Sequence, residues 1–151
     1  MNILFVCTGN TCRSCMAEAI FNNLCDVEYL TSSSCGISVI RNSEASENAI
    51  KTLNEKLKVN ISNRRAVQLT KEHLKEAGYV LVMTKGIKNL LVKKVPEIAD
   101  RVFTVNEFAE VSGEINDPYG MDMRVYEDTF IQLNNCIINI LKKLKEDRLT
   151  N

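Results

Sequence analysis

The apolar run Ile3-Leu4-Phe5-Val6 breaks off at Cys7-Thr8-Gly9-Asn10-Thr11-Cys12-Arg13-Ser14, and the helix-forming stretch Met16-Ala17-Glu18-Ala19-Ile20-Phe21 follows at once. That order specifies a strand, a tight polar loop and a helix start. A turn of this kind aims its backbone N–H groups and the unpaired donors of the helix N-terminus at one spot, a cradle for an oxyanion. Cys7 opens the loop and Arg13 closes it. The same field favours the thiolate of Cys7, because a helix N-terminus and a fixed cation both stabilise an ionised thiol. A thiolate beside a captured phosphate is placed to attack phosphorus, and the guanidinium of Arg13 can hold two phosphate oxygens at once. Gly9 and Asn10 are residue types that accept left-handed backbone. The hydroxyl of Ser14 can cap the helix or donate to Cys7.

Strand candidates are the apolar stretches at residues 3–6, 27–30, 79–83 and 101–105. The third, Tyr79-Val80-Leu81-Val82-Met83, is apolar throughout, as a strand covered on both faces should be. Helical spacing of Ala45, Ala49, Ile50, Leu53 and Leu57 predicts a helix over 44–57, with Ser43 as its N-cap. A short helix is expected over 71–77, stopped by Gly78. Another should follow Thr84 and end before Pro96. The last, over about 124–147, carries Leu133, Cys136, Ile137, Ile140, Leu141 and Leu144 on one stripe. Residues 32–42 read as a polar loop around Gly36. The alternation predicts an α/β fold: a single-domain, three-layer sandwich over residues 1–151, its four-stranded parallel sheet covered by helices on both faces. Ligands bind such sheets beyond the carboxyl ends of the strands, where the Cys7–Ser14 loop would lie.

A chain of 151 residues suits one domain with a real core. Nineteen basic and nineteen acidic residues cancel, so neither nucleic acid nor an anionic membrane is an expected partner. No apolar stretch approaches the ~18 residues of a membrane span, and the N-terminus lacks the basic flank and cleavage site of a signal peptide. Of six cysteines, two lie inside the loop. A thiolate nucleophile needs a reducing compartment, so a cytoplasmic protein with free thiols is expected rather than a disulfide scaffold. Cys15, Cys25, Cys35 and Cys136 read as structural thiols. A zinc site on Cys7, Cys12 and Cys15 would consume the nucleophile. The one histidine, His73, lies in a different polar helix and reads as a solvated residue. No metal and no cofactor are expected.

The stretch Val6-Cys7-Thr8-Gly9-Asn10-Thr11-Cys12-Arg13-Ser14-Cys15-Met16-Ala17-Glu18 closely resembles the signature of the low-molecular-weight protein tyrosine phosphatases. Asp117-Pro118-Tyr119 resembles that family's general-acid loop, and chain length and order of elements agree. Cys15 departs from the pattern, standing where the family usually has proline. The resemblance implies hydrolysis of phosphorylated protein side chains through a phosphocysteine. Cys7 would be the nucleophile, Arg13 the phosphate clamp and Asp117 the general acid and base. Thr8, Gly9, Asn10, Thr11, Cys12 and Ser14 would hold the substrate, with Tyr119 at the pocket mouth. It also implies a reversible Cys7–Cys12 disulfide that shields the nucleophile. A monomer acting on phosphorylated proteins is expected.

Thr11 bears on the substrate. Phosphotyrosine-specific relatives commonly place Ile or Leu there, whereas Thr resembles the branch that removes phosphate from arginine. A phosphoguanidine is polar, and its N–H groups need acceptors once desolvated. Phosphoarginine is therefore favoured over phosphotyrosine. Thr11 as a mere loop filler is the plainer alternative. Two other readings compete. A thiol-based arsenate reductase would need relay cysteines after the third strand, and residues 83–95 contain none. A catalytically dead phosphate-binding module would not need Cys7, Arg13 and Asp117 together.

Overall fold

The computed structural model describes residues 1–150, without the side chains of 148–150. Its elements are β1 (Asn2–Cys7), α1 (Arg13–Leu24), β2 (Thr31–Gly36), α2 (Glu47–Leu57), α3 (Lys71–Glu76), β3 (Tyr79–Val82), α4 (Lys85–Lys94), β4 (Val102–Thr104), α5 (Val105–Ala109) and α6 (Met123–Thr150). A 3₁₀ turn at Pro96–Arg101 leads into β4. All strand pairings are parallel, in the order β2-β1-β3-β4. The predicted α/β fold, a parallel sheet between helices, is the observed one.

The two inner strands explain why the loop after β1 is so well placed. Ile3 to Cys7 and Val80 to Val82 are buried, and strands covered on both faces are apolar without alternation. Helices α1, α2 and α5 all contact α6, while α4 packs on β3 and β4. Helix α1 presses Met16, Ala17, Ile20 and Phe21 into the core, and Phe21 meets Phe5 of β1 edge-on with ring centroids 6.0 Å apart. Strand β1 and helix α1 are thus packed into the core on both sides of the five-residue loop 8–12.

Three local expectations are corrected. Residues 27–30 form no strand; β2 lies at Thr31–Gly36, inside the segment read partly as a loop. Its serines escape the apolar rule because β2 is an edge strand whose side chains bond sideways. Ser32 Oγ donates to the Glu18 carbonyl at 3.1 Å, and Asn2 donates to Ser33 Oγ at 2.9 Å. Helix α2 starts at Glu47 rather than 44, and Ser46, not Ser43, caps it by accepting from the Ala49 N–H. Residues 43–45 are taken instead by a short ladder to Arg64, Arg65 and Ala66. Gly78 is no left-handed cap: α3 ends at Ala77 with extended backbone. A Cβ at Gly78 would press on the Met1 side chain and lie 3.4 Å from the Asn2 carbonyl, so the backbone passes close to the start of β1 there.

Candidate active site

Helices α2 to α5 carry hydroxyl caps at Ser46, Thr70, Thr84 and Thr104. Helix α1 has no side-chain cap and no acid in its first turn. Its N-terminal donors are left open towards the loop, which suits an anion that would satisfy them. Ser14 is the second residue of α1, so of its two expected roles the contact to Cys7 is the one observed: the two side-chain atoms lie 2.8 Å apart.

Asn10 shapes the loop from behind. It has the left-handed φ of 58° that its type tolerates, whereas Gly9, also expected there, does not have a positive φ. That conformation turns the Asn10 N–H onto Cys7 Sγ at 3.3 Å. Its amide donates to Ser14 Oγ at 2.7 Å and to Ser34 Oγ at 3.0 Å, and its oxygen accepts from the Val67 N–H at 2.9 Å. Asn10 and Ser14 are fully buried and stand behind the cleft rather than in its wall. Gly36 makes the close pass possible: a Cβ there would meet the Thr8 carbonyl at 2.7 Å.

Arg64 was not singled out by the sequence. Its guanidinium donates to Ser34 Oγ at 2.6 Å and to the Asn10 carbonyl at 3.4 Å, and pairs with Glu18 at 3.5 Å. Glu18 accepts in turn from Ser34 Oγ at 3.0 Å. No local pattern marks Arg64, because its partners come from the loop, α1 and β2.

Cys7, Thr8, Gly9, Thr11, Cys12 and Arg13 line a cleft of about 410 Å³ together with Ser38, Ile40, Ser43, Glu44, Ser46, Asp117 and Tyr119. The structure thereby joins Asp117 to a loop 104 residues away in sequence. Arg13 is buried; it donates to the Ile115 carbonyl at 3.2 Å, and its other terminal nitrogen lies 3.6 Å from the Asp117 carboxylate. The second Asp117 oxygen is accounted for locally, accepting from the Tyr119 N–H at 3.1 Å. Tyr119 is 70% exposed at the mouth, where a wall residue should stand.

Cys12 Sγ lies 3.2 Å from the Tyr126 hydroxyl and donates to Ser46 Oγ at 3.4 Å. Burial first, and the Cys12 contact second, push the Tyr126 hydroxyl well above its ordinary range. Burial does the same to the Cys15 thiol, which donates to the Cys12 carbonyl. All six cysteines are free. His73 is half-buried and caps α3 through its ring, so its role is local rather than simple solvation. Among the described residues, no helix is long and apolar enough to cross a membrane.

The family model described as low molecular weight phosphotyrosine protein phosphatase matches residues 2–150. The chain belongs to this family. Phosphatases named for arginine and for tyrosine both resemble it. A protein-arginine-phosphatase of Geobacillus stearothermophilus is 40% identical over 149 residues, 97% of each chain. The solved arginine phosphatase of that organism superposes with a TM-score of 0.92 at 38% identity, covering 99% of this chain and 96% of its own. A low molecular weight protein tyrosine phosphatase from T. tengcongensis gives 0.90 at 41% identity, covering 95% and 99%. A cysteine-to-serine mutant of an arginine phosphatase, with its active-site serine phosphorylated, gives 0.91 at 33% identity over the whole of both chains. The chain is a cysteine-dependent protein phosphatase of this family.

Proposed function

We propose that this phosphatase removes phosphate from arginine side chains of proteins, with Cys7 as nucleophile, Arg13 as clamp and Asp117 as proton donor and acceptor. The observation that carries the substrate choice is Thr11, a polar wall residue in the same cleft as Asp117. The ring of an aryl phosphate has no use for a polar wall at Thr11, whereas the N–H groups of a desolvated phosphoguanidine need acceptors. The similarity to named arginine phosphatases supports the same choice.

Loop N–H groups and the Arg13 fork receive the phosphoryl group. The Cys7 thiolate attacks phosphorus, the P–N bond breaks and its electron pair stays with nitrogen, which takes a proton from Asp117. Guanidinium leaves. Water then attacks the phosphocysteine, Asp117 accepts its proton, and the S–P bond breaks to return the thiolate and release phosphate. Thr8, Gly9 and Cys12 complete the cradle, while Asn10 and Ser14 act on Cys7 from behind. A reducing compartment such as the cytoplasm suits the free thiolate.

Ile40 and Tyr119, both exposed at the cleft, favour a second reading, in which an apolar mouth receives phosphotyrosine. Matched phosphoarginine and phosphotyrosine peptides decide between the two. A larger kcat/KM on phosphoarginine is expected; a clear preference for phosphotyrosine would sink the proposal.

A further inference from the structure

Three charged residues line the cleft: Arg13, Asp117 and Glu44. Arg13 and Asp117 pair with each other. Glu44 takes part in none of the ion pairs among the described residues. Its backbone is nevertheless fixed, by a bridge to Arg65 and by hydrogen bonds from Ala66 N to the Ser43 carbonyl at 2.8 Å and from Ala45 N to the Arg64 carbonyl at 3.4 Å. The nearby guanidinium of Arg65 is turned to the Asn42 carbonyl. Once Arg13 has taken the phosphoryl group, the cleft is left with two carboxylates on two different segments and no cation of its own.

A phosphorylated guanidinium brings a positive charge into that space; the ring of phosphotyrosine brings none. We propose that Glu44 is a specificity-determining residue, an unpaired carboxylate that favours the cationic substrate group just outside the phosphate cradle. This rests on the phosphoarginine reading above and adds to it a second acidic group, besides Asp117, for the guanidinium. Glu44 also repels the phosphoryl group, but it does so for both substrates, so the repulsion cancels in their ratio.

The test measures kcat/KM on matched phosphoarginine and phosphotyrosine peptides for wild type, Glu44→Gln and Glu44→Lys, at low and high ionic strength. Because Glu44 is exposed, thermal melts should show all three folded alike. The arginine-to-tyrosine ratio should fall about two- to fivefold in Glu44→Gln, the scale of a solvent-screened pair, and further in Glu44→Lys. Near 1 M salt, where the Debye length is about 3 Å, the difference from wild type should close. A wild-type preference for phosphoarginine that neither substitution moves overturns this inference alone. A wild type that does not prefer phosphoarginine overturns the substrate reading and this inference with it.

Discussion

Asn10 Nδ2 donates to Ser14 Oγ over 2.7 Å, which leaves the one hydrogen of the Ser14 hydroxyl free for Cys7 Sγ, 2.8 Å away. A thiolate carries no hydrogen, so once Cys7 is ionised the Ser14 hydroxyl serves it as a donor. The thiolate, both as nucleophile and as leaving group, would then be held by Ser14 and by the Asn10 N–H. Hydrogen bonds to charged groups contribute about 1.5–3 kcal/mol. Ser14→Ala should therefore lower kcat by roughly one to two orders of magnitude while the fold persists. Unchanged steady-state turnover of an aryl phosphate would show that the contact is idle.

Asp117→Asn should separate leaving groups. On kcat/KM, which reports the steps up to formation of the phosphocysteine, substrates whose departing atom needs a proton should slow by about 10²–10⁴-fold, whereas an aryl phosphate with an acidic phenol should slow far less. Equal losses on both would make Asp117 a partner that only orients Arg13, 3.6 Å away.

Thr11→Ile should lower kcat/KM on phosphoarginine and raise it modestly on phosphotyrosine. A site built for polar groups rejects the wrong partner strongly, while an added apolar contact gains only about 1–3 kcal/mol. The ratio of the two kcat/KM values is the measure. An unmoved ratio would reduce Thr11 to a loop filler.

Much of this site was legible because it is local. Strand, loop and helix follow one another without a gap, so Cys7 and Arg13 could be assigned roles from their neighbours alone. Asp117 could be tied to them only by resemblance, since its contact with Arg13 is tertiary. Arg64 was invisible for the same reason: its partners Ser34, Asn10 and Glu18 come from three segments. Strand β2 was misplaced because strand patterns assume apolar residues, and Ser32, Ser33 and Ser34 sit at an edge where their hydroxyls find polar partners. Val27-Glu28-Tyr29-Leu30 looked like a strand but forms a turn, with the Leu30 N–H returning to the Val27 carbonyl at 3.4 Å. Ser43 has the right chemistry for a cap, but the ladder to residues 64–66 takes it, and Ser46 caps α2 instead.

The thiols should differ sharply in reactivity. Burial pushes Cys35 up to about 11, so at pH 8 only about one molecule in a thousand carries its thiolate. Burial also raises Cys15 and Cys136. Brief alkylation of the native protein between pH 7 and 8, mapped by mass spectrometry, should leave these three unmodified and label Cys7 first. The sign is fixed by the thiolate as the reacting form: raising the pH through 11 should bring Cys35 into reaction. Rapid labelling of Cys15 at neutral pH would contradict its enclosure.

The central claim is that phosphate passes through the Cys7 sulfur. Mixing Asp117→Asn protein with an aryl phosphate bearing an acidic phenol, whose departure needs no proton, and quenching within the first turnover should trap a phosphoryl adduct, because formation is spared while breakdown of the intermediate lacks its base. The account predicts that adduct on the peptide containing Cys7, and no thiol-bound phosphate when Cys7 is replaced by Ala. An adduct on any other residue, or turnover that persists in Cys7→Ala, would contradict it.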